Sequence, residues 1–127
     1  MPVKISAVVC DDIRQESTGK LFLIGTYIQN MTVPELPMDS RFDCLIRFQG
    51  LPDHAEVMEL TIRHVGRKPE VSSYKFPPII EGATTVVIFG MPIIATRAGR
   101  VSLEVAVDGG RRRKIESIDI EASPSAD

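Results

Sequence analysis

The residues that most often carry chemistry are scarce in this chain. Its 127 residues include two cysteines, Cys10 and Cys44, and two histidines, His54 and His64. A zinc site takes about four ligands from Cys, His or carboxylate. Neither a Cys-x-x-Cys nor a His-x-x-x-His spacing occurs. Gly-x-Ser-x-Gly, the P-loop lysine pattern and Gly-x-Gly-x-x-Gly are missing too. Their absence weighs against hydrolase, nucleotide and dinucleotide chemistry, although a triad assembled in space would leave no such trace. We therefore expect no enzyme, no catalytic, cofactor-binding or metal-ligating residue, and no cofactor. No apolar run exceeds a few residues, so no helix here is expected to span a bilayer. The opening Met-Pro-Val-Lys-Ile has no apolar h-region, which predicts no secretory signal and a cytoplasmic location. An excess of positive charge is also lacking. Lys plus Arg is 15 and Asp plus Glu is 17, a net charge of −2, which argues against nucleic acid as a partner.

What is present is an ordinary globular composition, 43% hydrophobic and 25% charged. The length suits one domain, expected over residues 1–122, with 123–127 as a short polar tail. The dominant period is two. Arg41–Gln49 alternates apolar and polar, with Phe42, Cys44, Ile46 and Phe48 on one side. Met58, Leu60 and Ile62 do the same, as do Val101, Leu103, Val105 and Val107. Further strands are expected over 3–10, 20–28, 71–76, 84–91 and 114–122. Gly50-Leu-Pro-Asp53 and Asp108-Gly-Gly110 punctuate them. About eight strands separated by turns predict an all-β fold, an antiparallel two-sheet β-sandwich of immunoglobulin-like or related topology. The shared parity predicts one core containing Phe42, Ile46, Phe48, Leu60, Ile62, Leu103 and Val105. In the last strand Ile115 is out of phase with Ile118 and Ile120, and a bulge near Glu116–Ser117 would return all three to the core.

The string Cys10-Asp-Asp-Ile-Arg-Gln-Glu16, then Gly19-Lys20 and Leu23-Ile-Gly-Thr-Tyr27, resembles a bacterial family of small all-β proteins of unknown function. The segment from Ala98-Gly99-Arg100 to Asp108-Gly109 fits the same pattern. The resemblance implies an all-β fold and supplies no activity, substrate or catalytic residue.

Four groups of residues invite a functional reading. Cys44 lies on the core face, which predicts a buried, reduced thiol; a Cys10–Cys44 disulfide is the alternative. Asp11, Asp12 and Asp108 sit in loops that could meet at one end of a sandwich. Calcium takes roughly six to eight oxygens, so a calcium or small-ligand site is one reading and turn-fixing carboxylates another. Arg111-Arg-Arg-Lys114 opens the last strand, with Arg111 and Arg113 on one side. They read either as a contact for an anion or acidic partner or as a charged edge that resists aggregation. Finally, Thr84–Met91 is apolar on both sides. Val87, Phe89 and Met91 would face away from the core, to be covered by a second copy or by Met31–Met38 acting as a lid. The expected function is that of a non-enzymatic binding or assembly module, a homo-oligomer and most simply a homodimer, with no membrane or nucleic-acid partner.

Overall fold

The structure, a computed structural model, describes residues 3–124. The last residues of the expected polar tail, 125–127, lie outside that range. Nine strands run along the described residues: β1 Lys4–Gln15, β2 Leu21–Tyr27, β3 Asn30–Val33, β4 Met38–Gln49, β5 Val57–Arg63, β6 Glu70–Lys75, β7 Thr84–Ala95, β8 Gly99–Val107 and β9 Arg113–Ala122. They form a four-stranded sheet, β2-β1-β4-β7, and a five-stranded sheet, β3-β9-β8-β5-β6. The pairing is antiparallel except between β3 and β9. No helix among the described residues is long and apolar enough to cross a membrane.

The inward side chains of both sheets make one core. Phe42, Ile46, Phe48, Leu60, Ile62, Leu103 and Val105 are all buried in it, as their shared parity predicts. Burying side chains of this size is worth about 1.5–3 kcal/mol each. The two sheets are also stitched by backbone at one corner, where β5 ends against β7. Val65 N donates to Ile94 O, and Thr96 N donates to Val65 O, both at 3.0 Å. His64 completes this corner: its Nδ1 accepts from Ile94 N at 3.0 Å. An accepting Nδ1 fixes the neutral tautomer with the proton on Nε2, and Nε2 lies 3.2 Å from Glu70 Oε1, off hydrogen-bond geometry. This histidine is a structural fastener at a strand end.

The ninth strand was not expected. β3 is four residues long and stops at Pro34, too short to show a period. It places Met31 and Val33 in the core. Two bulges shift the phase of longer strands. In β9, Leu103 pairs with Glu116 but Glu104 with Lys114, so Ile115 is the extra residue. Ile115 then packs against the core with Ile118 and Ile120, as the phase error predicts. In β7, Phe42 pairs with Met91 but Cys44 with Ile88. The extra residue is accommodated at Gly90, whose φ is +69°, a left-handed conformation that glycine adopts without penalty.

Candidate functional site

The outer face of the four-stranded sheet carries a second apolar cluster. Cys10, Ile13 and Leu45 are buried in it, with Leu23 and Val87 half-buried against them. Phe89, next along β7, is 68% exposed. Leu21 is exposed on β2, and Phe22 and Ile24 are exposed on the opposite side of the same strand. β1 and β2 continue as a two-stranded arm beyond the end of the β1–β4 ladder, which stops at Cys10–Asp43. The arm changes phase where it leaves the sheet. Cys10 and Ile13 both join the outer cluster, although their parity differs. The change falls at Asp11, opposite Gly25 with φ +70°. A Cβ at Gly25 would meet the Asp11 carboxylate. Tyr27 Oη donates to Asp11 Oδ1 at 2.5 Å, locking β2 to β1 at this point.

Asp43 holds the irregular backbone of this face together. Its Oδ2 accepts from Ile13 N at 2.8 Å and its Oδ1 from Gly90 N at 3.0 Å. One carboxylate on β4 thus satisfies two N–H groups on the flanking strands, just where each departs from regular pairing.

The outer face of the five-stranded sheet is different. Glu104 pairs with Arg63 at 2.9 Å, and Asp119 with Arg100 at 2.8 Å. Thr61 and Ser102 lie between them, buried by longer neighbours. This is the solvated face usual in an antiparallel sheet.

Of the three residues expected to face outward from β7, Val87 and Phe89 do so. Met91 does not: it is 1% exposed in the main core, because the bulge at Gly90 turns it inward. The Met31–Met38 segment is no lid over this face. Met31, Val33 and Met38 enter the main core, and β3 belongs to the other sheet.

The thiols are both free and buried, and they lie on opposite sides of one sheet. Cys44 belongs to the main core and Cys10 to the outer cluster, so β4 and β1 backbone separates them and a disulfide between them is excluded by geometry. Burial pushes the Cys44 thiol up to about 12, with the charge of a Cys10 thiolate and of Glu116 acting in the same direction. Burial, then the Asp43 carboxylate, also raises Cys10. Both stay protonated at neutral pH and are poor nucleophiles. The folded protein is expected to resist thiol reagents at pH 7, and unfolding without reductant should release two reactive thiols. Because the folded form disfavours the thiolate, stability should decline as pH rises from about 9, the unfolded value, towards about 12. A native protein that labels as fast as the unfolded chain would contradict this burial.

The acidic residues do not converge. Asp11 bonds Tyr27, and Asp12 pairs with Arg14 at 2.8 Å. Asp108 accepts from Val57 N at 2.9 Å and Glu56 N at 3.1 Å. Its turn lies near the first residues of β1, since Arg113 in the following strand reaches Val3. Asp11 and Asp12 lie towards the other end of that strand. Among the described residues no group of three His, Cys, Asp or Glu side chains is placed to share a metal ion. The basic run is split as well. Strand β9 begins at Arg113, and Arg111 lies in the turn before it. Arg113 Nη1 donates to Val3 O at 2.6 Å, so it clamps the start of β1. Nor is β9 an edge along its whole length: β3 covers its second half, from Asp119 to Ala122.

One cleft was not visible in the sequence. It has a volume of about 420 Å³ and lies where the chain crosses from β3 to β4. Met31, Met38 and Phe42, all buried, form its floor, and Tyr27, Glu35 and Asp39 stand around it. The Tyr27 ring meets Phe42 edge-on, with centroids 5.6 Å apart and planes at 88°.

The model of a family of unknown function, DUF6941, matches residues 5–118. The chain belongs to that family. No curated protein and no solved structure matches it. The family match spans every strand from β1 into β9, including the Asp11–Gly25–Tyr27 lock and the Asp43 bridge.

Proposed function

We propose that this family member is a non-enzymatic binding and assembly module of the cytoplasm, and that it forms a homodimer through the outer face of its four-stranded sheet. The observation that carries the reading is the asymmetry of the two outer faces. One carries the Arg63–Glu104 and Arg100–Asp119 ion pairs, whereas the other exposes Phe89 and Leu21 beside the apolar cluster of Cys10, Ile13 and Leu45. Contiguous apolar surface of this kind marks interaction sites on soluble proteins. A two-fold axis through the face lets the same patch serve both copies, the commonest form of assembly. Such an interface should bury more than about 1,000 Å² in total. The buried, unreactive thiols suit a reducing compartment.

Light scattering over a dilution series tests this. The expected mass is twice 14.0 kDa, falling to the monomer on dilution. Phe89→Asp should weaken association at least tenfold, since a buried unpaired carboxylate costs several times RT. It should leave the melting temperature of the monomer nearly unchanged, because Phe89 is exposed there. A monomeric mass at every concentration would refute the dimer.

A further inference from the structure

We propose that the cleft between β3 and β4 is a binding site for a small organic monocation with an apolar body, such as a primary or quaternary amine. The cleft lies within the size range of small-molecule sites. Its floor is sulfur and aromatic carbon from Met31, Met38 and Phe42, soft surfaces that adapt to varied apolar shapes. The charges around it are of one sign. Glu35 and Asp39 line it, and no Lys, Arg or His is among the described residues that do. Asp11 adds a third carboxylate one hydrogen bond behind the Tyr27 ring. Asp39 is paired with Arg41, whose Nη1 lies 3.1 Å from Asp39 Oδ1; that pair is well exposed, so it is weak and readily exchanged. Glu35 has no salt-bridge partner among the described residues. The Tyr27 ring supplies a cation–π face, and donating its hydroxyl proton to a carboxylate makes that face more electron-rich. An apolar body would enter over the methionines while its ammonium stayed at the rim between Glu35 and Tyr27. A neutral ligand gains only the floor, and an anion meets three carboxylates.

The inference is independent of assembly, because the cleft lies at one end of the sandwich and needs no second copy. Its test is an amide-resolved NMR titration of the whole chain with three probes of one shape: phenethylammonium, 2-phenylethanol and phenylacetate. The ammonium is expected to move the amides of residues 31–33 and 40–42 saturably at millimolar concentration. The alcohol should bind about three- to fivefold more weakly, the scale of one exposed cation–π contact, and phenylacetate more weakly still. Glu35→Gln, in an exposed loop, should reduce the preference for ammonium over alcohol. Tyr27→Leu should do so as well, provided its spectrum remains dispersed. An N-acetyl-lysine methylamide probe that outcompetes the free amine would identify the source of the cation as a lysine side chain of a partner; weaker binding would identify a free amine. Equal binding of ammonium and alcohol, shifts elsewhere on the protein, or no saturable shift would each overturn the proposal, whatever the mass in solution.

Discussion

Phe48→Ala is expected to lower the free energy of unfolding by about 3–5 kcal/mol. Phe48 is 1% exposed and is among the largest fully buried side chains. It sits on β4, a strand with neighbours on both sides, where it pairs with Ile5 of β1 and Thr84 of β7. Its ring meets that of Phe76 edge-on, with centroids 4.9 Å apart and planes at 85°. The backbone of Phe76 is tethered, its N–H donating to Glu56 O at 2.9 Å, which limits how far its ring can follow the shortened side chain inward. Truncation therefore loses both the transfer free energy of the ring and the contacts around the void. A denaturant melt should show the loss as a lower midpoint with an unchanged slope. A change well under 1 kcal/mol would mean that the core collapses around the gap. Phe89→Asp is expected to do the opposite. Both residues are phenylalanines on the same sheet, yet one should cost stability and spare association, and the other the reverse.

That division was legible in the sequence for Phe48 and only in part for the β7 face. Alternation along β4, β5 and β8 identifies the core because each of these strands keeps its phase over its apolar residues. β7 does not, and carrying the parity from Val87 and Phe89 on to Met91 fails at Gly90. The signal was present: a glycine inside a strand often marks a bulge. In β9 the misphased Ile115 announced its bulge, because Ile118 and Ile120 after it set a phase that Ile115 breaks. In β7 apolar residues filled both parities, so no error could show. The β1–β2 arm hides its phase change in the same way, since Asp11 and Gly25 slip together and the pairing sum stays constant. β3 escaped notice because four residues are too few for a period and because its parallel partner lies near the other end of the chain. The cleft went with it, being built around that strand's exit. The placement of the acidic residues depends on which turns share an end of the sandwich, and that follows from strand order, which local periodicity does not encode.

Asp43 shows how a long-range contact can look like an ordinary polar position. In the alternating run Arg41–Gln49 it is one more outward polar residue, yet its two oxygens tie Ile13 and Gly90 to β4. Asp43→Ala is expected to cost about 2–4 kcal/mol. Each hydrogen bond to a charged group contributes about 1.5–3 kcal/mol, and the partial exposure of this site places the pair below the full sum. Asp43→Asn keeps one accepting oxygen and should cost about half as much. Hydrogen exchange gives the sharper readout: the amides of Ile13 and Gly90 should exchange faster in Asp43→Ala, while those of β5 and β8 follow only the global loss of stability. Uniform acceleration across both sheets would show that Asp43 supports the whole fold and not this face in particular. The consequence for assembly follows from position. Ile13 is in the outer cluster, and Gly90 sets the direction of Phe89 beside it. Without the carboxylate, the arm and the bulge would both be released, and the apolar face would have to be reordered on binding. Asp43→Ala should therefore weaken self-association even under conditions where more than nine-tenths of the chains remain folded, although Asp43 itself need not touch the second copy. Association unchanged in such a folded population would remove the β1–β2 arm and the Gly90 bulge from the interface.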